Sequence, residues 1–504
     1  KPFRLVGATR DYLVITSDSG KITIAEFDEA QGQWVAVQCE TYGRTGCRRI
    51  VPGELLATDP QGRALMVGAI EKSKLAYLLN RDAAQRLTIS SPLQADRPET
   101  FTFSMCGVDV GYDNNPTFAA LEIEYRGTDA DESGAAAASA QKVLSMYEID
   151  LGLNHVVRSW SSPVSRSANL VLAVPGGKDG PSGVLVCAEN SVFYTRPDHS
   201  VVRTPLPRRQ GSGDAGLLIT SGALHKQKGL FFFLLQTELG DLFKVEVLCA
   251  DPKEPKTVSD VHVSVFDTIQ PTNALCITKN GLLFAAAEFG NHSLYQILSL
   301  GDGDGNVRAV RLPEGAMDDS CVKAAPSFVP RSKPQHLLKC DDQASLAPVT
   351  DMVVADLLGE NVQQIHMTCG KGASSSLRML RHGLPVSEIA RSDLPGRPSA
   401  VWTVLQPQGS PHVAYIVVSF TNATLVLSVG DTVEEVTDSG FQAGVQTLDC
   451  IRLADDAIIQ IHSQGITHIR AGGDVQTWRP PSGKSIERAT CNTRQVAVAL
   501  TGGT

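Results

Sequence analysis

One local pattern recurs along most of the chain: a short apolar segment, a tight turn containing glycine, asparagine or an acidic residue, and a second apolar segment. The turns are centred at Ser19, Lys72, Asn190, Leu239, Gly290, Gly372, Asn422 and Gln464. Most successive turns are about 50 residues apart, with one interval about twice as long, and such a period is typical of β-propeller blades. The pattern therefore predicts a repeated β architecture and favours a scaffold over an enzyme.

The apolar segments are continuous runs rather than clean alternations of apolar and polar residues, for example at 13–15, 184–186 and 495–500. Continuous runs indicate strands buried on both faces, as expected when blades stack face to face. A closed propeller has about four to eight blades, whereas this chain at this period would supply about ten. We therefore predict an all-β protein with WD40-like blades of four antiparallel strands, spanning most of one propeller and part of a second.

Two prolines and a glycine at 394–398 precede the strand that begins near residue 401. We place the domain boundary there, with most of the first propeller in 1–397 and the beginning of the second in 398–504. Three further segments lack an apolar period and are expected to be loops inserted into blades, at 126–140, 205–216 and 301–339. The chain begins without methionine and stops directly after a strand, so we expect it to be a piece of a longer protein.

Composition narrows the possible partners. The chain has 42% hydrophobic and 20% charged residues, which is typical of a folded globular protein. Its formal net charge of -9 argues against broad neutralisation of phosphates, so we expect little direct contact with nucleic acid. No apolar run reaches the ~18–20 residues of a bilayer span, and no membrane association is expected. Eleven scattered cysteines without a CxxC spacing indicate reduced thiols in the nucleus or cytosol.

Motifs for catalysis, cofactors or metals are weak. Residues 211–216 fit GxGxxG but are neither preceded by a strand nor followed by a helix, as a dinucleotide site requires. Asp302, Asp304 and Asn306 resemble a calcium loop, but Val307 stands where its glycine should be. Catalytic triads assemble from distant residues, so missing motifs do not exclude an enzyme. We expect no catalytic residue, cofactor or metal.

The candidate partner-binding residues lie in polar turns and loops. Two stretches combine arginines capable of bidentate contacts with polar neighbours, and three charged residues occupy equivalent hairpin turns. They are Arg44, Arg48 and Arg49, then Asn80, Arg81, Asp82 and Arg86, and the turn residues Glu238, Glu288 and Lys371. We hypothesise that all of them share one partner-facing rim, because turns joining equivalent strands emerge on the same face of a propeller. The alternative is that the arginines only pair with acids inside the blade loops.

These stretches resemble a known family. The sequences at 46–53 (GCRRIVPG), 79–84 (LNRDAA), 288–292 (EFGNH), 380–383 (LRHG) and 434–441 (EEVTDSGF) are similar to the splicing factor 3b subunit 3 family. The resemblance covers nearly the whole chain. Two more distant relatives share the architecture but resemble these stretches far less: the damaged-DNA-binding adaptor of cullin ubiquitin ligases and the large subunit of the cleavage and polyadenylation factor.

The resemblance implies a three-propeller, non-catalytic scaffold in the nucleus, supporting branch-site recognition and spliceosome assembly in pre-mRNA splicing. Two propellers of that family form a clamp around the HEAT-repeat subunit of splicing factor 3b and its small subunits, within the branch-site small nuclear ribonucleoprotein. The alternatives within the same fold are adaptor subunits of a cullin-type ubiquitin ligase or of the cleavage/polyadenylation machinery. A propeller hydrolase or redox enzyme is the alternative from another class.

Overall fold

The fold was analysed in a computed structural model. The structure describes residues 1–17, 19–43, 49–128, 130–211, 215–227, 230–251, 256–301, 308–309, 325–359, 362–372, 375–383, 393–407, 410–430 and 432–503. These residues contain 41 β-strands and one five-residue helix, α1 (Ala135–Ser139). No helix in the described ranges has the length and apolar character of a membrane span. The chain divides into two compact units, Lys1–His382 and Gly383–Thr504.

The first unit contains six sheets of at least four strands, here named blades 1 to 6, in which neighbouring strands run antiparallel. Blade 1 comprises β1 (Pro2–Phe3), β2 (Tyr12–Ser17), β3 (Lys21–Asp28) and β4 (Gln33–Thr41). Blade 2 comprises β5 (Leu55–Thr58), β6 (Ala64–Gly68), β7 (Lys74–Arg81), β8 (Leu87–Ile89) and β9 (Leu93–Gln94). Blade 3 comprises β10 (Thr100–Val108), β11 (Thr117–Glu124), β12 (Lys142–Asp150) and β13 (His155–Pro163). Blade 4 comprises β14 (Leu170–Ala173), β15 (Val184–Ala188), β16 (Ser191–Thr195) and β17 (Val202–Pro205).

Short strands in the connections support the last two blades. After β18 (Arg208–Arg209), blade 5 is formed by β19 (Ile219–Gln227), β20 (Leu230–Thr237), β21 (Asp241–Cys249) and β22 (Val258–Thr268), with β26 (Arg308–Ala309) added beside β22. Blade 6 is formed by β23 (Thr272–Ile277), β24 (Leu282–Ala287), β25 (His292–Ile297) and β28 (Leu337–Gln343). Strand β27 (Ser327–Phe328) pairs in parallel with β18. A three-stranded sheet follows, with β29 (Val349–Ala355), β30 (Gln364–Cys369) and β31 (Ser376–Leu380).

The second unit begins with two further sheets of four antiparallel strands and ends in a hairpin. The first sheet contains β32 (Ala400–Leu405), β33 (Val413–Ser419), β34 (Thr424–Val429) and β35 (Val433–Glu435). The second contains β36 (Thr447–Arg452), β37 (Ile458–His462), β38 (Gly465–Ile469) and β39 (Val475–Trp478), and the hairpin contains β40 (Ile486–Cys491) and β41 (Val496–Leu500). The all-β class and the four-stranded blades predicted from the sequence are therefore confirmed. The boundary near residue 397 stays a prediction, because the division into compact units does not show where one propeller ends and the next begins.

All eight turns that set the sequence period join the second and third strands of their sheets. Several of them require a positive φ, which the sequence supplies with Asn190 at 57° and Gly240 at 91°. Gly240 also packs so closely that a Cβ atom would lie 2.0 Å from the carbonyl oxygen of Ile269. The double-length interval spans blade 3, whose equivalent connection is the inserted segment at 126–140 that contains α1. The insertion at 301–339 lies partly outside the described residues.

Hydrophobic side chains fill the seams between successive blades of the first unit. One cluster occupies each seam from blades 1–2 to blades 5–6, and Phe233 and Phe243 belong to the cluster between blades 4 and 5. Strands β6, β15 and β16 are buried at every residue, which confirms the interpretation of the continuous apolar runs. The first strands of blades 2 to 6 contact those of their neighbours within this series, as expected near a propeller axis.

Candidate partner-binding surface

Strand direction divides the connections of the first unit into two sets. Because neighbouring strands are antiparallel, turns between second and third strands emerge at the same end as the connections from one blade to the next. We call this end the upper face. Turns between first and second strands, and between third and fourth strands, emerge at the opposite end, the lower face.

The three predicted hairpin residues lie in upper-face turns. Glu238 joins β20 to β21 and Glu288 joins β24 to β25, and Lys371 lies in the corresponding turn between β30 and β31. Glu238 and Lys371 are exposed, whereas Glu288 is half-buried. The Nζ atom of Lys371 lies 5.9 Å from the ring centroid of Phe289, which brings these two turns together.

Arg49 also lies on the upper face, in the connection from blade 1 to blade 2. Its Nε donates a hydrogen bond to Glu71 in the turn between β6 and β7, and its guanidinium lies 5.4 Å from the ring centroid of Phe101 in blade 3. The Tyr125 hydroxyl donates to the same Glu71 carboxylate. Arg49 therefore joins the connection between blades 1 and 2 to the β6–β7 turn and to blade 3, although its side chain is 59% exposed. Arg44 and Arg48 lie outside the described residues.

The pKa of Glu71 lies below its ordinary value because the Tyr125 hydroxyl, and then the Arg49 guanidinium, donate hydrogen bonds to its charged form. A carboxylate with a lowered pKa stabilises the fold above its unfolded pKa, and this contribution disappears as pH falls through the folded value. We expect Glu71→Gln to lower the urea midpoint at pH 7, with a difference from the parent chain that shrinks on acidification below about pH 4.5. A pH-independent difference would assign the effect to packing instead.

The remaining candidates lie on the lower face, so the hypothesis of one shared rim is wrong in this respect. Asn80 and Arg81 are the last residues of β7, and Asp82 and Arg86 lie in the turn that joins it to β8; these are the third and fourth strands of blade 2. They therefore emerge at the opposite ends of the strands from Arg49 and the three hairpin residues. Whether either group binds a partner stays a prediction.

The β7–β8 turn is organised around one carboxylate. Asp82 accepts backbone N–H groups from Ala84 and Arg86, each at 2.9 Å, and its Oδ2 lies 2.8 Å from Nη2 of Arg86. The backbone hydrogen bond from Arg86 is the main cause that lowers the pKa of Asp82. Arg81 donates to the side-chain oxygen of Gln85 at 3.2 Å. These contacts fix the turn and leave the side chain of Arg86 80% exposed.

A second aspartate–arginine pair, absent from the residues predicted from the sequence, lies on the lower face. Arg63 donates to Asp59 at 2.8 Å and reaches the carbonyl oxygens of Tyr112 at 2.9 Å and Asn114 at 2.6 Å, which joins blades 2 and 3. The pair has the same spacing of four residues as Asp82 and Arg86. That repeated spacing is a sequence signal for a turn held by an aspartate–arginine pair, but it does not show at which face the turn emerges.

The described turns carry exposed charged side chains, among them Arg49, Arg86, Glu238 and Lys371. In the ranges that the structure covers, no three His, Cys, Asp or Glu side chains are placed to hold a metal ion. Burial raises the pKa of Cys106 and of Cys187 to about 12, so neither thiol is a nucleophilic thiolate at neutral pH. The exposed charges at the turns are suited to the polar rim of a protein interface.

Comparison with known proteins identifies the architecture. The profile of the RSE1/DDB1/CPSF1 first beta-propeller matches residues 1–340, and that of the RSE1/DDB1/CPSF1 second beta-propeller matches residues 386–504. The chain belongs to this family of β-propeller proteins.

Individual relatives in animals, plants and fungi give a more specific resemblance than the family profiles do. The chain is 49% identical to splicing factor 3B subunit 3 of Drosophila melanogaster over 99% of its own length and 40% of the relative. It is 49% identical to spliceosome-associated protein 130 A of Arabidopsis thaliana, covering 99% of the chain and 41% of the relative. It is 48% identical to pre-mRNA-splicing factor RSE1 of Pyricularia oryzae, covering 99% of the chain and 42% of the relative. The resemblance stated from the sequence is thus confirmed, and the chain spans about two fifths of the length of these relatives.

Proposed function

We propose that this chain is part of a non-catalytic scaffold subunit of splicing factor 3b, which supports branch-site recognition and spliceosome assembly in pre-mRNA splicing. The observation that carries the proposal is the 49% identity to splicing factor 3B subunit 3 over 99% of the chain. The fold is compatible with this role, because stacked blades present many turns on each face as docking positions. A role in splicing also implies that the protein works in the nucleus.

The partners we propose are the HEAT-repeat subunit and the small subunits of splicing factor 3b, within the branch-site small nuclear ribonucleoprotein. The upper face carries both signs of charge, since Arg49 and Lys371 are basic and Glu238 and Glu288 are acidic. Charges of mixed sign suit a polar interface, where they contribute to the rate and specificity of association. The formal net charge of -9 is more compatible with protein partners than with extensive phosphate contacts.

Affinity purification from nuclear extract tests the proposal. The tagged chain should recover the HEAT-repeat subunit and other branch-site particle proteins, identified by mass spectrometry. Recovery of cullin subunits would instead support a ubiquitin-ligase adaptor, and recovery of cleavage and polyadenylation factors would support the other adaptor role. Stoichiometric labelling of one residue by an active-site probe would contradict a non-catalytic scaffold.

A paired variant locates the contact within the same experiment. Arg48→Ala combined with Arg49→Ala should weaken capture of the HEAT-repeat subunit about tenfold or more, because truncating an interface arginine leaves its partner unpaired. Arg4→Ala is the matched control, since Arg4 is also exposed and paired with a carboxylate, that of Asp11, but lies on the lower face and is not a candidate residue. The melting temperature should change little in either protein. Undiminished capture by the double variant, or its unfolding, would show that these arginines only fix the blade loops.

A further inference from the structure

The outer strands of blades 3 and 4 are separated by a cleft, which we call the 3–4 cleft. The inner part of this seam is filled by the hydrophobic cluster that contains Val108, Val171 and Val184. Two open cavities lie beside this cluster. One of about 460 Å³ lies between β13 and the outer half of blade 4, and one of about 730 Å³ lies between the β10–β11 connection and β12 of blade 3 and the lower-face turns of blade 4. At the next seam, by contrast, the outer strands β17 and β22 pack against each other. The cleft is therefore a local feature of this seam.

The upper cavity combines apolar side chains with polar ones, including the oppositely charged Glu189 and Arg203. Trp160 on β13 lines it from blade 3, and Phe193 and Val201 line it from blade 4. Val201 is 50% exposed, so part of the apolar lining is accessible from solvent. The pairing of β12 with β13 shifts register between Met146 and Tyr147, opposite Trp160. Such a bulge bends its strand and increases its twist, and this is the level at which the cavity opens.

The lower cavity is predominantly acidic. Asp113, Glu148 and Asp198 line it together with a single arginine, Arg196. Arg196 donates to the carbonyl oxygen of Pro181 at 2.6 Å, and Glu148 accepts a hydrogen bond from the side chain of Asn115 at 2.8 Å. The upper cavity thus reaches from Glu189 and Asn190 near the upper face down to Val201 in the β16–β17 turn, and the acidic cavity lies next to it at the lower face.

We propose that the 3–4 cleft binds an extended segment of a protein partner, with a large apolar side chain in the upper cavity and a lysine or arginine in the lower one. A large apolar side chain is complementary to the apolar residues of the upper cavity, and a basic side chain is complementary to the acidic lower cavity. An extended segment fits because β13 is the terminal strand of its sheet, so the backbone at its outer edge is accessible for strand addition. The same acidic cavity disfavours nucleic acid, whose phosphates are negative. The inference is independent of the proposed function, since it requires no splicing partner.

Selection from a random 12-residue peptide library displayed on phage, against the immobilised 504-residue chain, tests the inference. The recovered peptides should share a large apolar residue followed or preceded by lysine or arginine. Fluorescence anisotropy should then show about tenfold or more weaker binding to the Val201→Asp variant, because a carboxylate is placed in the apolar mouth. Val35→Asp is the matched control, since Val35 is an exposed apolar residue on the outer strand of blade 1.

The charge complementarity is tested separately. Glu148→Gln should weaken peptides that carry the basic residue and leave unchanged the same peptides with norleucine at that position. Circular dichroism establishes that each variant is folded, and Val201→Ser replaces the aspartate variant if that one is unstable. The proposal is overturned if no peptide depends on Val201, if acidic peptides are enriched, or if single-stranded RNA binds the cleft and is lost in the Val201 variant.

Discussion

Replacing Glu122 by alanine should destabilise the first unit by about 3–5 kcal/mol, because the change leaves a buried lysine without its counter-charge. Glu122 on β11 and Lys74 on β7 form an ion pair across the seam between blades 2 and 3, with Oε1 and Nζ 2.7 Å apart and neither side chain accessible to solvent. The midpoint of urea unfolding, followed by near-UV circular dichroism, should fall accordingly.

A third group completes this buried cluster. The hydroxyl of Tyr147 on β12 donates to both carboxylate oxygens of Glu122 at 3.0 Å. Burial, and then the neighbouring carboxylate, raise the pKa of Tyr147, so its phenol stays protonated and available as a donor. Removing Glu122 therefore leaves two buried polar groups unsatisfied, and each such group costs free energy in a low-dielectric environment.

Two further variants separate the loss of the pair from a general effect of substitution. Glu124→Ala removes a carboxylate two residues along the same strand, where the side chain is half-exposed and pairs with Arg158 at 3.1 Å. It should cost no more than about 1 kcal/mol. The double variant Lys74→Met and Glu122→Leu should be far less destabilised than Glu122→Ala, because apolar side chains replace both charges. Equal effects of Glu122→Ala and Glu124→Ala would contradict the importance of the buried pair.

The blade repeat could be predicted from the sequence because its turns carry local signals. Turns such as Asn190 and Gly240 need residues that tolerate positive φ, and these recur at the spacing of the blades. The connection in blade 3 escaped the count because α1 and its flanking residues replace a tight turn there. The side chains that pair between neighbouring blades could not be predicted from the sequence. Lys74 and Glu122 lie on different blades, and the identities of two distant residues give no signal that they are in contact.

The candidate surface was harder to predict than the fold. A turn between third and fourth strands has the same composition as one between second and third strands, so Asp82 and Arg86 looked equivalent to the upper-face turns. Only the strand order shows that they emerge at the opposite face. The 3–4 cleft depends on Trp160 and Val201 lining one cavity from two different blades, and on a bulge in β13 whose position the apolar pattern does not reveal.

Residues 398–504, expressed alone, should be insoluble or molten. Their structure consists of two four-stranded sheets and a hairpin, with one small hydrophobic cluster between each neighbouring pair. Val401 on β32 is 63% exposed and Trp478 on β39 is 48% exposed, so apolar surface remains uncovered. A short stack of repeats has few interfaces to offset the conformational entropy of folding, and its unpaired strand edges promote aggregation.

The expected observations for 398–504 are binding of the dye ANS, poor dispersion in the NMR spectrum and no cooperative thermal transition. The matched control is the fragment 1–397, in which five filled seams join six blades, and we expect it to be soluble and to melt cooperatively. A dispersed spectrum and a sharp transition for 398–504 would show that its two sheets and hairpin form an independent domain. The boundary near residue 397, or the assignment of this segment to an incomplete propeller, would then be wrong.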